Sequence, residues 1–336
     1  MKNSIPITSS ELGVLWMTYQ RKTMMINMIE YFIEKSEDRA ARKIMVNYCK
    51  ENNKFVAEIE DIFKGEGAIV PSGFNEKDVH KDAKSLFDKM FDILFLRLMM
   101  KLSSGLNALH LDMTYRKDVR DFFKRSSTSS QEIFDACTEY LLEKGVLARS
   151  PYVTMPKEVE FVEEKKYMKG IKLFGDKRPL NTVEVAHIYQ SIEGHIVETN
   201  LLTGFAQVAK ESEVRDHFMK GKELTKKIVS DFASILQQSD IQTPSTWAGR
   251  PTDSKEPPFS DKLMMYCSTT LAGFQLTSNA LGIALSMRSD LPLKLMLLSQ
   301  DVYQFANKGG QLMVKHHWME EPPQMEDRNQ LIKSQK

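Results

Sequence analysis

The sequence predicts an all-α protein made of two tandem four-helix bundles, and three observations lead to this prediction. The segment Ile7–Glu11 recurs 173 residues later as Leu180–Glu184, and the likeness continues along both halves. Nearly every ordered stretch spaces its apolar residues as a helix does, without the sustained alternation of a strand. In each half, one long segment without helical spacing separates the second helix from the third. A repeat this long is a whole domain, because solenoid repeats have periods of about 20–50 residues.

The repeat shows which residues of the two halves are equivalent. The halves align without a gap from Glu11 to Lys89, and one residue is then missing from the second half. We expect shared residues to serve the fold, and any special chemistry to lie where the halves differ. Identical residues at equivalent positions include Glu11 and Glu184, Phe32 and Phe205, Arg42 and Arg215, Asp88 and Asp261, Asn107 and Asn279, Arg116 and Arg288, and Asp118 and Asp290.

Composition and charge argue against several classes of protein. The 336 residues include 46 Lys and Arg and 45 Asp and Glu, so no overall positive field points to nucleic acid. Cys49, Cys137 and Cys267 form no CxxC pair, which is typical of free thiols in a reducing compartment. The most apolar run, 90–100, is shorter than the ~20 residues that span a bilayer. We therefore expect a cytoplasmic protein without a signal peptide, whose partners are other proteins or further copies of itself.

Capping signals and helical spacing place four helices in each half. Thr8 with Glu11, and Asn181 with Glu184, form capping boxes at the first helix of each copy. The predicted helices are 9–35, 37–64, 87–114, 117–145, 182–209, 211–238, 260–288 and 292–318, with a weak stretch at 126–130 and a short extra helix at 158–169.

The long connection between the second and third helices determines the predicted topology. A segment of about 20 residues, at ~3.3 Å per residue, can run the length of a ~40 Å helix. It therefore permits helices two and three to be parallel, as in a ferritin-like bundle with one long crossover. We expect a linker to pack the two halves into one rigid unit. The predicted domains are a first ferritin-like bundle at 7–148, this linker at 149–178, a second ferritin-like bundle at 179–320 and a polar tail at 321–336.

Several short phrases of the sequence resemble a known family. They are ELGVLW at 11–16, KRPLN at 177–181, GKE at 221–223, PPFSDKLMM at 257–265, SMRSDL at 286–291 and WMEEPPQ at 318–324. Together they resemble a tandem family of uncharacterised proteins from endospore-forming bacteria, which has a ferritin-like fold and is distantly similar to spore-coat proteins of the CotF type. The resemblance implies the fold and a link to the spore, and it brings no catalytic motif.

One helix of the second half carries a candidate metal site. The di-metal sites of ferritin-like proteins use carboxylates and Glu-x-x-His motifs that face the bundle axis. Glu184 and His187 form such a motif, and with His195 and Glu198 on the same stripe they could bind iron, manganese or zinc. A structural role is the alternative, because Glu184 already serves a capping box and matching ligands on the other helices are missing. The first half carries Glu11, Val14, Thr18, Lys22 and Met25 at the equivalent positions.

The third helix of the second half is unusually rich in small residues. Small side chains allow close helix packing, and they equally leave room for a ligand if a cavity lies beside Ala272, Gly273 and Ala280. The sequence has no phosphate-binding glycine loop, nucleophile elbow or kinase motif. We predict a non-enzymatic structural or interaction protein associated with sporulation or the spore coat. A metal-binding protein or oxidoreductase and a small-ligand carrier are the alternatives.

Overall fold

The computed structural model describes residues 5–170, 177–245 and 248–333 of the chain, so parts of the predicted linker, second crossover and tail lie outside the described residues. Within these ranges the protein is helical apart from turns, loops and two isolated β-bridges. This confirms the all-α class and the two tandem halves. The helices are α1 Ser9–Lys35, α2 Arg39–Gly65, α3 Phe91–Asp112, α4 Lys117–Glu143, α5 Thr182–Val208, α6 Ser212–Gln237, α7 Asp261–Leu285, α8 Asp290–Lys315 and the short α9 Arg328–Lys333.

Local sequence explains where these helices begin and why one of them continues. The Thr8 hydroxyl accepts a hydrogen bond from the Glu11 backbone N–H, and Asn181 caps α5 in the same way, so both predicted capping boxes are present. The stretch 126–130 does not interrupt α4: Ser126 and Ser130 are buried and accept hydrogen bonds from Asn107, and the Ser130 hydroxyl donates to the Ser126 carbonyl one turn back in the same helix. The segment 158–169 holds only a 3₁₀ turn, Lys165–Met168. No helix in the described ranges is long and apolar enough to cross a bilayer.

Ion pairs and hydrogen bonds determine the directions of the helices in the first half. Lys144 pairs with Asp38, and Arg125 pairs with Glu58, so α2 and α4 are antiparallel. Glu11 at the start of α1 accepts hydrogen bonds from the backbone just after α3, so α1 and α3 are also antiparallel. Since a short turn makes α1 and α2 an antiparallel pair, α2 and α3 run parallel. This is the arrangement for which a long crossover is needed.

The first crossover (residues 66–90) and the second crossover (residues 239–260) pair with each other. Each backbone–backbone hydrogen bond between them is reproduced by another in which the two halves exchange roles, which is the pattern of a two-fold axis. The four backbone bonds are Ser260 N–H to Asp78 O (2.9 Å), Asp88 N–H to Arg250 O (2.8 Å), Thr252 N–H to Leu86 O (2.9 Å) and His80 N–H to Pro258 O (2.8 Å).

The two bundles share a central core that lies around this axis. Phe32 of α1 packs edge-to-face on Phe259, and Phe259 packs in the same way on Phe205 of α5. Two further apolar clusters, one in each half, lie at the ends away from the axis. The halves are therefore joined through the crossovers and this core. The linker residues 149–169 are exposed, apart from the half-buried Tyr167, and do not supply the packing expected of them.

Candidate functional site

The glutamates shared by the two halves have the same structural role. Burial would raise the pKa of Glu11 and Glu184, but hydrogen bonds outweigh it and hold the pKa of both carboxyls below the ordinary value. Each carboxylate fixes the start of one helix to the turn that follows its antiparallel neighbour. The backbone donors are Tyr115 and Arg116 at 2.8 and 2.6 Å from Glu11, and Met287 and Arg288 at 3.1 and 2.9 Å from Glu184.

The four residues of the candidate metal site do not come together. Glu184 is fully buried and forms an ion pair with Arg178 at 2.7 Å, besides its role in the capping box. His187 is half-buried one turn further along α5. Glu184 and Glu198 are separated by ~21 Å along the same helix, so one ion cannot contact both. In the part of the chain that the structure describes, no three His, Cys, Asp or Glu side chains are grouped to hold a metal ion.

His195 and Glu198 alone meet at a common place, a void of about 10 Å³ inside the second bundle. His195 donates from Nδ1 to the Ser191 carbonyl at 2.8 Å, and Glu198 accepts a hydrogen bond from Gln275 at 3.3 Å. Burial lowers the pKa of His195 to about 4 and raises the pKa of Glu198 to about 7. One imidazole and one carboxyl are the titratable groups on this void, and they do not fit a two-metal carboxylate centre.

The first bundle has a lysine where the second has His195. Lys22 Nζ donates to Asn52 Oδ1 at 2.7 Å and lies over the Phe55 ring at 4.6 Å from its centroid. Asn52 is in turn equivalent to Thr225, which borders the void in the second bundle. Burial lowers the pKa of Lys22 well below its usual value. At equivalent buried positions, the first bundle therefore has the amine of Lys22, and the second has the imidazole of His195 and the carboxyl of Glu198 nearby.

A larger cavity of about 360 Å³ lies between α1 and α7, which we name the interface cavity. Its size lies within the range of small-molecule sites. Gly273 borders it, and a Cβ added at Gly273 would meet no atom within 4 Å. The predicted cavity thus lies beside Gly273, whereas Ala272 is buried in the second bundle and Ala280 is exposed. Apolar side chains form much of its wall, namely Met17, Phe74, Leu106, Phe274, Met313 and Trp318.

The interface cavity also contacts a buried cation. Arg21 is 5% exposed, and its Nη2 donates to Asn107 Oδ1 at 3.3 Å. No carboxylate within the described residues forms an ion pair with Arg21. Lys262 and Glu320 are the other charged groups on the wall, and both bind the first crossover. Lys262 donates to the Gly73 carbonyl at 3.1 Å, and Glu320 accepts from the backbone N–H groups of Ser72 and Gly73, each at 2.8 Å.

The two-fold axis gives the interface cavity a counterpart between α3 and α5, which is occupied by long side chains. By the repeat, Arg97 and Lys101 are equivalent to Thr269 and Gly273. Arg97 and Lys101 both bind Glu193, at 2.6 and 2.9 Å. We call this contact the closed side and the α1–α7 contact the open side. The open side has short side chains at the positions where the closed side has a salt-bridged cluster.

The helix that faces each cluster differs as well. Gln20 of α1 is equivalent to Glu193, so the carboxylate of the closed side has no counterpart on the open side. Arg21 is equivalent to Gly194, where the closed side leaves no cavity: a Cβ added at Gly194 would be in van der Waals contact with Leu98 Cδ1, at 3.6 Å. The open side therefore combines a cavity with a guanidinium that has no ion-pair partner among the described residues, whereas the guanidinium of the closed side, that of Arg97, is paired with Glu193.

The fold and this site define a helical protein of two bundles joined about a two-fold axis, with a cavity where α1 meets α7. The family model described as Protein of unknown function (DUF3231) matches residues 1–159 and 168–331, and the chain belongs to this family. A solved structure described as a "putative spore coat protein" from Bacillus halodurans C-125 is similar, with 17% identity and a TM-score of 0.43 over 45% of this chain and 98% of that one. Among proteins with curated descriptions, none matches.

Sequence reasoning missed Arg21, although the repeat contained a signal. From sequence alone, an arginine is expected to be exposed to solvent. Only the packing of neighbouring helices shows that Arg21 is buried. The equivalent position holds Gly194, and the adjacent pair is Gln20 and Glu193. These two consecutive positions therefore differ in charge between the halves.

Proposed function

We propose that this protein is a non-enzymatic binding protein whose small-molecule site is the interface cavity. The single observation that carries the proposal is the contrast between the two sides of the two-fold axis. Equivalent helices flank both places, yet Arg97 and Lys101 occupy one and the other is open at Gly273. Side chains that close such a gap are thus compatible with this fold, and the open side has shorter side chains at the equivalent positions.

The other parts of the wall support a site that is formed in advance. The segment that follows α8 covers the cavity with Trp318 and is fastened to the first crossover by Glu320. Trp318 is itself stacked on His316, with ring centroids 4.4 Å apart. A preformed wall reduces the loss of conformational entropy on binding, which favours affinity.

Binding of the neutral fluorescent probe N-phenyl-1-naphthylamine tests the proposal. We expect the wild-type protein to bind one probe per chain with an increase in emission, because the dye passes from water into an apolar cavity. Gly273→Leu places a side chain in the cavity and is expected to weaken binding at least tenfold. The measurement is a fluorescence titration at constant protein concentration.

A matched variant on the equivalent helix separates blocking from general effects of a new leucine. A Cβ added at Gly105 of α3 also meets no atom within 4 Å, so Gly105→Leu is expected to leave probe binding unchanged. Equal affinity of Gly273→Leu and the wild type, or no binding by the wild type, would contradict the proposal.

We also propose association with the spore, on the basis of the sequence resemblance. A fluorescent fusion expressed in a sporulating, endospore-forming host is expected to concentrate at the developing spore. An even distribution throughout the mother cell and forespore would exclude this role. The binding site and the location are separate proposals, and either can fail without the other.

A further inference from the structure

We infer that the interface cavity takes a small amphiphile with one acidic group, whose anionic end pairs with Arg21 and whose apolar part contacts the wall. The inference rests on the proposed binding function and adds the chemical class of the ligand. It depends on the charge of the site, and the proposed function depends only on the presence of the cavity.

Charge complementarity identifies the acidic group. Arg21 is almost fully buried, and the amide oxygen of Asn107 is its hydrogen-bond acceptor. A guanidinium has five N–H donors and stays protonated, so most of its donors can still bind a ligand. A carboxylate or a similar planar oxyanion matches this fork with two parallel hydrogen bonds. Gln20 on the open side is equivalent to Glu193 on the closed side. A ligand anion would therefore bring to the open side the kind of negative charge that Glu193 provides on the closed side.

The remaining charges allow one negative charge. Arg21 and Lys262 are cationic, Glu320 is anionic, and the wall therefore carries one net positive charge. The Glu320 carboxylate is held by two backbone N–H groups at 2.8 Å, which partly satisfies it without involving Arg21. A dianion would leave one charge without a partner in a partly buried site, where an unpaired charge is costly.

The wall contacts explain why the rest of the ligand is apolar. Met17 and Leu106 from the first bundle line the cavity together with Phe274, Met313 and Trp318 from the second. Burying apolar ligand surface against these side chains contributes roughly 25 cal/mol per Å². Threonines on α7 border the same cavity, but the Thr269 and Thr277 hydroxyls already donate to backbone carbonyls of their own helix.

Three probes of equal chain length test the inference: decanoate, decan-1-ol and decylamine. Isothermal titration calorimetry at pH 7.5, below the critical micelle concentrations of decanoate and decylamine and below the aqueous solubility of decan-1-ol, gives their dissociation constants. We expect decanoate to bind the wild type at least tenfold more tightly than decan-1-ol, because it makes a charge-assisted, bidentate contact. Decylamine is expected to bind more weakly than the alcohol, since its charge repels Arg21.

Two substitutions at Arg21 assign the preference to this residue. Arg21→Met keeps the length and removes the charge, so decanoate should fall to the affinity of decan-1-ol while the alcohol binds as before. Arg21→Lys keeps the charge and should retain a reduced preference for decanoate. Binding of decan-1-ol also shows that each variant has folded with its cavity intact.

The possible outcomes separate the two claims. If decan-1-ol and decanoate bind equally, and Gly273→Leu abolishes both, the cavity is a site and the inference about charge is wrong. A preference for decanoate that persists in Arg21→Met would also overturn it. If the wild type binds none of the three probes, and no N-phenyl-1-naphthylamine either, the proposed function itself fails.

Discussion

The closed and open sides of the two-fold axis are built from equivalent helices, yet one is filled and the other holds a cavity. On the closed side, Arg97 and Lys101 meet Glu193, and Arg97 also donates to Thr138 at 2.9 Å. On the open side the equivalent of Lys101 is Gly273, and the equivalent of Glu193 is the uncharged Gln20. The contrast shows that the cavity is not a general defect of packing between bundles, because the same geometry is packed well on the opposite side.

Residues that the two halves share serve the fold and not the cavity. Asp88 accepts hydrogen bonds from the backbone N–H groups of Gly249 and Arg250, and Asp261, with which the sequence alignment pairs it, accepts from those of Lys210 and Glu211. Both aspartates hold a loop to a neighbouring element, although not at equivalent places. Residues common to both halves thus stabilise the architecture, and the candidate site lies among residues that differ.

Removing the acid of the closed side should have the largest effect on stability. Glu193→Gln leaves Arg97 and Lys101, which are only 13% and 20% exposed, without a counter-charge. We expect a loss of roughly 2–3 kcal/mol in the free energy of unfolding, because unpaired charges in a partly buried place are costly. Urea unfolding followed by circular dichroism measures it.

An exposed ion pair provides the control for that change. Glu51 pairs with Lys54 on the surface of α2, and Glu51→Gln should cost less than about 0.5 kcal/mol. Equal losses in the two variants would mean that the cluster of the closed side contributes no more than a surface salt bridge.

His195 and Glu198 of the second bundle are equivalent to Lys22 and Met25 of the first. The first of these pairs predicts that the stability of the protein depends on pH. The pKa of Glu198 is about 7 in the folded protein, above its ordinary value of 4.5. The folded state therefore keeps a proton that the unfolded chain releases between these values, and stability falls as the pH rises through this range. Glu198→Gln removes this fall, so its stability relative to the wild type should rise by roughly 2 kcal/mol from pH 5 to pH 8.

The buried histidine next to Glu198 does not confuse that comparison. The pKa of His195 is about 4 in the folded state, so its contribution is gained as the pH rises from about 4 to its ordinary value of 6.5. It is present in both proteins and cancels in the difference. Thermal unfolding of both proteins across this pH range is the measurement. Destabilisation of Glu198→Gln at pH 8 would contradict the prediction and would indicate that the ionised carboxylate has a cationic partner.

The smallest predicted effect compares one glycine from each side. Gly273→Ala should raise the free energy of unfolding by about 0.5–1 kcal/mol, because alanine favours a helix and the added methyl group meets open space. Gly194→Ala should gain less, since its Cβ would lie 3.3 Å from Gln275 Nε2. A greater gain for Gly194→Ala would show that the open side is packed more tightly than the cavity indicates.

The helices and their directions could be predicted from the sequence because their causes are local or repeated. A capping box needs only Thr8 and Glu11, and the repeat supplied the same signal at Asn181. The length of the crossover was enough to predict that α2 and α3 are parallel. The ferritin-like identity of each bundle and the exact boundaries of the domains stay predictions.

The interface cavity could be predicted only in part, because it depends on which helices meet across the axis. The sequence indicates a possible cavity beside Gly273 because the helix is rich in small residues, which is a property of that helix alone. It does not indicate the burial of Arg21, since that burial results from α1 packing beside α7 of the other half. The linker was assigned the joining role because it connects the halves along the chain, whereas the crossovers join them in space.

The mirrored bonds between the crossovers have a consequence for stoichiometry. Two separate, identical chains related by the same axis would carry two identical contacts, both closed or both open. Covalent fusion of the halves frees each contact to change on its own, so Arg97 and Lys101 could be retained on one side while Thr269 and Gly273 stand on the other. The protein can thus keep a salt-bridged brace and a binding cavity at the same junction, with one ligand for each chain.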